Sequence, residues 1–133
     1  MEPDDPATRV LIADNDVAVS GLLADLLIDR GLPCETVHDG EAALHRLRAG
    51  GVAVLVTDLD MPKLSGQELL RRMGELEVAP RTIVVSGYVD AVVEADLRRV
   101  PSVRHVLRKP FDVIEFADLV ESLANEASGR QGN

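Results

Sequence analysis

The chain has 133 residues, a length typical of one domain, and its 46% hydrophobic content is sufficient for a buried core. Its 14 basic and 23 acidic residues give a formal net charge of -9, which argues against sequence-independent binding to nucleic acid. With one cysteine, short apolar runs and an acidic start, we expect no internal disulfide, membrane span or signal peptide, and a cytoplasmic location.

Short apolar runs alternate with segments of helical period between residues 9 and 126. The predicted strands are residues 10–13, 35–37, 52–56, 83–85 and 103–107. Apolar residues at helical spacing follow each strand, in residues 19–27, 43–47, 69–76, 89–93 and 113–120. Residues 9–126 are therefore predicted to form one domain, and residues 1–8 and 127–133 have the composition of disordered tails.

Strict alternation of five strands and five helices predicts right-handed crossovers and a parallel sheet covered on both faces. We expect a doubly wound, flavodoxin-like α/β fold with strand order 2-1-3-4-5. Ligands of such sheets bind at the carboxyl ends of the strands where the strand order reverses, which for this order lies between strands 1 and 3. The functional residues should therefore follow Ala13 and Thr57.

Acidic residues stand at both of these positions. Residues 14–16 (Asp-Asn-Asp) follow the first strand, and residues 58–60 (Asp-Leu-Asp) follow the third. Either group alone is more often a turn or a helix cap. Carboxylates that converge need a compensating cation, however, and oxygen ligands without Cys or His favour Mg²⁺. The pair of acidic groups therefore predicts a magnesium site.

Two further strand ends contribute Ser86 and Lys109. Each alone is an ordinary turn residue or a solvated charge. Together with the acidic residues they surround Asp58 with a metal, an ammonium and a hydroxyl. This set suits a phosphoryl group carried by an aspartate, because the cations neutralise its oxygens and the hydroxyl donates a hydrogen bond.

Four sequence blocks resemble the receiver domain of bacterial two-component response regulators. They are VLIADND at 10–16, VTDLDMPKLSG at 56–66, VVSG at 84–87 and KPF at 109–111. The resemblance implies a phosphorelay switch in which Asp58 accepts a phosphoryl group from a histidine kinase or hybrid kinase. It also implies that Ser86 is the switch hydroxyl and Lys109 the phosphate contact. The implied Mg²⁺ ligands are Asp14, Asn15, Asp58 and the backbone carbonyl of Asp60. Such a domain catalyses only its own phosphorylation and dephosphorylation.

The sequence departs from the family pattern at two positions. Asn15 stands where the family usually has a second carboxylate, so we expect weaker Mg²⁺ binding than in a typical receiver. Val106 stands where the family often has a Tyr or Phe, so we expect switching to depend on the loop after Ser86. We interpret Asp16 as the cap of the first helix. The histidines (His38, His45 and His105) are interpreted as structural or surface residues, and Cys34 as a small buried hydrophobic residue at the edge of the second strand.

The distribution of basic residues indicates a surface that binds partner proteins. Between residues 98 and 109 there are five basic residues and no acidic ones: Arg98, Arg99, Arg104, Arg108 and Lys109. By resemblance, this helix 4, strand 5 and helix 5 surface binds effectors or a second receiver, so we expect an acidic downstream protein or a homodimer. The alternative is an ordinary solvated helix end. We expect no output domain in this chain, as in a stand-alone regulator or a receiver excised from a hybrid kinase.

Two other functions fit parts of the pattern. Asn15 and Val106 would suit a receiver-like module that binds proteins without phosphorylation. Asp58 and Asp60 could instead be the nucleophile and the acid/base of a haloacid-dehalogenase-like aspartyl phosphatase. Pro62 and the absence of a cap argue against that phosphatase.

Overall fold

In the computed structural model, which describes residues 9–127, five strands alternate strictly with five helices. The strands are β1 (Arg9–Ala13), β2 (Cys34–Val37), β3 (Val52–Asp58), β4 (Arg81–Ser86) and β5 (Val103–Arg108). The helices are α1 (Val17–Asp29), α2 (Gly40–Arg48), α3 (Gly66–Met73), α4 (Ala91–Arg98) and α5 (Val113–Ala127). Every predicted element is present, and β3 and β4 extend to Asp58 and Ser86 themselves.

All five strands are parallel, and their order is β2-β1-β3-β4-β5. The predicted fold class is therefore confirmed. At the carboxyl edge, Ala13 pairs with Thr57, Asp58 pairs with Val85, and Ser86 is in register with Arg108. This register brings the ends of β1, β3, β4 and β5 to the same edge of the sheet.

Both faces of the sheet are covered by helices. Val10, Ile12 and Val56 belong to a core with α1 and α5, where Phe116 is its largest fully buried side chain. The alternate strand residues, such as Leu11, pack against α2, α3 and α4 on the other face. Burial on both faces explains why the central strands are almost continuously apolar.

Short polar side chains begin the helices. The Asp16 carboxylate accepts a hydrogen bond from the Val19 amide at 3.0 Å, which confirms its prediction as the cap of α1. Asp112 accepts from the amides of Ile114 and Glu115 at the start of α5. These caps place the first turn of each helix directly after the loop that leaves the carboxyl edge.

The helical spacing within residues 19–27 predicts Val19 and Leu22 on the buried face of α1, and the structure differs. Ser20, Leu23, Ala24 and Leu27 face the core, whereas Leu22 is 70% exposed and Val19 is also exposed. Apolar residues surround much of this helix, so the spacing alone does not select one face.

The ends of α4 and α5 also differ from the prediction. Because Asp90 caps α4, this helix begins at Ala91, and Val89 is buried in the preceding loop. Helix α5 reaches Ala127, one residue into the predicted tail. The predicted tails at 1–8 and 128–133 lie outside the described residues. Between residues 9 and 127, no helix has both the length and the apolar character needed to cross a membrane.

Candidate functional site

Two buried carboxylates and one ammonium meet at the carboxyl edge of the sheet. Lys109 Nζ lies 2.8 Å from Asp58 Oδ2 and 3.0 Å from Asp14 Oδ2. Asp14 is 1% exposed and Asp58 is 5% exposed, while the Lys109 side chain is 28% exposed and reaches in from the end of β5. The structure thus brings together three of the predicted site residues from three different strand ends.

The backbone after β3 fixes the orientation of Asp58. Its Oδ1 accepts a hydrogen bond from the Asp60 amide at 3.0 Å, so only Oδ2 faces Lys109. Gly66, the first residue of α3, packs directly against this turn: a Cβ there would lie 2.3 Å from the Asp58 carbonyl oxygen. A glycine at this position therefore lets α3 begin close to the site.

Asp14 is held in the same way. Its Oδ1 accepts from the Asp16 amide at 2.8 Å, and its Oδ2 accepts from Lys109. Each carboxylate therefore has one oxygen bound by the amide two residues ahead and one oxygen bound by the shared ammonium. A charged donor between two buried carboxylates offsets their mutual repulsion.

The site also changes the titration of Lys109. Burial alone lowers the pKa of this amine, but hydrogen bonds and charges from Asp58 and Asp14 outweigh burial and raise the pKa above its ordinary value. Lys109 is therefore a cation at neutral pH.

Ser86 ends β4 at the same edge and is 1% exposed. Its hydroxyl donates to the Tyr88 carbonyl at 3.1 Å and accepts from the Tyr88 amide at 3.3 Å. The hydroxyl is thus bonded within its own loop and makes no hydrogen bond to Asp58. To donate a hydrogen bond to a group on Asp58, the hydroxyl must give up its bond to the Tyr88 carbonyl.

The remaining predicted ligands lie at the surface of this edge. Asn15 and Asp60 are exposed, and the amide of Asp60 donates to the Asp58 carboxylate. Within residues 9–127, no three His, Cys, Asp or Glu side chains are grouped closely enough to hold a metal ion. The donors available are carboxylate, amide and carbonyl oxygens, a set whose chemistry fits a hard cation such as Mg²⁺.

Val106 and His105 lie on opposite faces of β5. Val106 is paired with Val84 and packs in the core under α4, whereas His105 is paired with Ile83, whose side chain faces α1 and α5. His105 therefore points away from Val106, as expected for neighbours on a strand. Burial lowers the pKa of His105, and the charge of Arg104 adds to this effect.

The basic run at 98–109 is partly neutralised by two glutamates, each of which is shared between two arginines. Glu94 forms ion pairs with Arg98 and Arg108, at 2.9 and 3.0 Å. Arg104 is paired with Glu126 of α5 at 3.0 Å. Lys109 belongs to the site, so in the part of the chain described here only Arg99 of this run has neither an ion pair nor a hydrogen-bonded acidic partner. The surface therefore carries less positive charge than the sequence indicates but remains basic, because two carboxylates serve four arginines.

Sequence reasoning missed the roles of two residues at this edge. The ring of His38, at the end of β2, contacts the Asp14 carbonyl oxygen through Nδ1 at 3.0 Å. Arg108 donates to the Val89 carbonyl and to Glu94, and so ties the loop after β4 to β5. The signal available for His38 was its place after β2, the neighbour of β1. No local sequence signal indicates the contact of Arg108 with Val89.

The chain is similar in sequence to known regulatory proteins. A family model described as the response regulator receiver domain matches residues 10–121. The transcriptional regulatory protein TrcR of Mycobacterium tuberculosis is 29% identical over 125 residues, which cover 94% of this chain and 48% of TrcR. The transcriptional regulatory protein FixJ of Rhizobium meliloti is 32% identical over 112 residues, covering 84% of this chain and 54% of FixJ. The chain thus spans about half the length of these two relatives.

A solved structure has the same fold. The response regulator protein TrrA of Thermotoga maritima, solved in complex with Mg²⁺ and BeF, superposes with a TM-score of 0.75 at 24% identity. The match covers 87% of this chain and 98% of the TrrA chain.

Proposed function

The chain belongs to the response regulator receiver domain family, and from this premise we propose that it is the phosphoacceptor switch of a two-component phosphorelay. In this proposal Asp58 accepts a phosphoryl group from a histidine kinase or hybrid kinase in the cytoplasm. The observation that carries the proposal is the single ammonium of Lys109, held 2.8 and 3.0 Å from the buried carboxylates of Asp58 and Asp14.

The chemistry is an in-line attack on phosphorus by the Asp58 carboxylate. The new bond joins a carboxylate oxygen to phosphorus, and the bond from phosphorus to the donor's imidazole nitrogen breaks, after which that nitrogen takes a proton from solvent. Lys109 donates to the phosphoryl oxygens and neutralises their charge. Water later cleaves the acyl phosphate and restores the carboxylate. The domain therefore catalyses only its own phosphorylation and dephosphorylation.

We propose that Asp14, Asn15, Asp58 and the backbone carbonyl of Asp60 hold Mg²⁺. Bound there, Mg²⁺ supplies charge neutralisation for the transferred phosphoryl group. The support is the excess of negative charge that two buried carboxylates retain beside one ammonium, together with the Mg²⁺–BeF complex of TrrA. Because Asn15 contributes an amide in place of a carboxylate, we expect an Asn15→Asp variant to bind Mg²⁺ more tightly.

The kinase would approach an edge that exposes apolar side chains. Val17 at the start of α1 is 63% exposed, and Val113 and Ile114 at the start of α5 are exposed as well. Both helices begin at the carboxyl edge that carries Asp58. A partner that brings a phosphohistidine to Asp58 would cover these side chains, which supports phosphotransfer from a protein donor.

The signal would leave through the surface of α4, β5 and α5. A phosphoryl group on Asp58 offers the Ser86 hydroxyl a charged acceptor, which competes with its bond to Tyr88. Val106 has no ring to rotate, so the movement falls on the loop between β4 and α4. That loop and the first turn of α4 expose Tyr88 and Val92, each more than 70% exposed. We propose that a downstream protein, or a second copy of the chain, binds this surface.

The proposal is tested by intact mass after incubation with acetyl phosphate and Mg²⁺. We expect one phosphoryl addition on the wild type, none on Asp58→Asn, and none when EDTA removes the metal. Asp60→Asn is the matched control, because it changes an exposed carboxylate in the same turn and should still be modified. No addition on the wild type, even with a histidine kinase as donor, would favour the phosphorylation-independent binding module. Turnover of a phosphate monoester would favour the aspartyl phosphatase instead.

A further inference from the structure

His38 reaches from the end of β2 to the backbone of the neighbouring strand. Its Nδ1 lies 3.0 Å from the carbonyl oxygen of Asp14, and the ring is half-buried. A carbonyl oxygen can only accept a hydrogen bond, so Nδ1 must carry the hydrogen and donate. The contact joins residues that are 24 positions apart in the chain.

This bond completes the restraint of Asp14. The Asp14 amide donates to the Val37 carbonyl at 3.1 Å, and its two carboxylate oxygens accept from Asp16 and Lys109. The carbonyl held by His38 is thus the last polar group of Asp14 to be bound. Every hydrogen-bonding group of this buried residue is therefore occupied.

The same carbonyl belongs to the peptide that joins Asp14 to Asn15. Holding its oxygen sets the plane of that peptide, and with it the direction in which the Asn15 side chain leaves the backbone. Asn15 is exposed, and its side chain forms no hydrogen bond to any residue between 9 and 127. Its placement therefore depends on the backbone, which His38 holds.

We propose that His38 is a positioning residue of the phosphorylation site, which orients the Asp14–Asn15 peptide so that both side chains present oxygens to Mg²⁺. The inference rests on the proposed function, because it concerns the same metal. Residues that orient metal ligands commonly change affinity by about 10–100-fold when they are removed.

The test measures the Mg²⁺ dissociation constant by calorimetry for three variants of the full chain. We expect His38→Ala to bind about tenfold more weakly than wild type, at the low end for such residues. His38→Asn should stay within about twofold, because its amide nitrogen is attached to Cγ as Nδ1 is in histidine. His45→Ala is the matched control: it removes an exposed histidine of α2 and should leave the dissociation constant unchanged.

A second readout separates positioning from a purely structural contact. If His38 acts through the metal, saturating Mg²⁺ should restore the rate at which His38→Ala reacts with acetyl phosphate. A lower melting temperature of His38→Ala with an unchanged dissociation constant would overturn the inference. So would a His38→Asn variant that binds as weakly as His38→Ala. A wild type that binds no Mg²⁺ would overturn the proposed function first, and the inference with it.

Discussion

Removing the ammonium at the centre of the site should destabilise the fold. Lys109→Met leaves the carboxylates of Asp14 and Asp58 buried and facing one another without a cation. Removing one partner of a buried ion pair costs about 3–5 kcal/mol. Since the Lys109 side chain is 28% exposed, water can partly replace it, and we expect the low end, about 3 kcal/mol. For a domain of this size that corresponds to a melting temperature about 10 °C lower.

Urea unfolding followed by circular dichroism, without Mg²⁺, measures this loss. Combining Lys109→Met with Asp58→Asn should recover part of it, because one buried carboxylate is then neutral. The two changes should therefore be non-additive by at least about 1 kcal/mol. Lys63→Met is the matched control: Lys63 is 61% exposed and 3.7 Å from Asp39, and its loss should cost less than about 0.5 kcal/mol.

The pH dependence gives an independent check on Lys109. Its folded pKa lies above the ordinary value of 10.5, so its contribution to stability is complete below pH 10.5. That contribution is lost as pH rises through the folded pKa, and Lys109→Met should lose less stability over this range than wild type. Equal stability of the Lys109→Met and Lys63→Met variants, or strict additivity with Asp58→Asn, would refute the role given to the ammonium.

Three other outcomes follow from particular contacts. Gly66→Ala places a Cβ against the Asp58 carbonyl and should destabilise the protein by about 2–3 kcal/mol in urea unfolding. Gly21→Ala is the matched control: its Cβ in α1 meets no neighbour and should stabilise the protein by about 0.5–1 kcal/mol. Burial raises the pKa of Cys34 from 9.0 to about 12. A thiol reagent at pH 8 should therefore react at least about a hundredfold more slowly with the folded than with the unfolded protein, because the thiolate is the reactive form. Equal rates would contradict this. Hydrogen bonds from Arg71 lower the pKa of Glu68 to about 2. Glu68 therefore contributes stability above pH 4.5 that is lost as the pH falls toward 2. The melting temperature of Glu68→Gln should fall less steeply with acid than that of the wild type.

The elements that were predicted well are those with strong local signals. Strand β3 is a run of apolar, mostly β-branched residues that ends in Asp58, and burial on both sides of a parallel sheet requires such a run. Asp16 was predicted as a cap because an aspartate before a helical period can bind the free amides of the first turn. Both signals involve neighbours in the sequence and need no knowledge of the tertiary fold.

The predictions that were wrong or incomplete involve residues distant in the chain. The exposed position of Leu22 depends on how α1 rotates against β1 and α5, which a helix that is apolar on several sides does not specify. Arg104 is paired with Glu126, 22 residues later, which Arg81 also shares, so counting charges along β5 alone overestimates the positive surface. His38 was interpreted as a surface or structural residue because its partner is a backbone carbonyl on another strand.

The sequence by itself determined the fold class and the edge of the sheet at which the polar strand ends meet, because alternating apolar runs specify a parallel sheet and parallel strands end at one edge. That argument is enough to bring Asp14, Asp58 and Lys109 together. Only the tertiary structure decided how they are arranged: which carboxylate oxygens share the ammonium, which hydroxyl is already bonded, and which ring holds the Asp14 carbonyl. Most of these contacts join residues of different strand ends, whose relative positions result from the packing of the whole domain and from no local pattern.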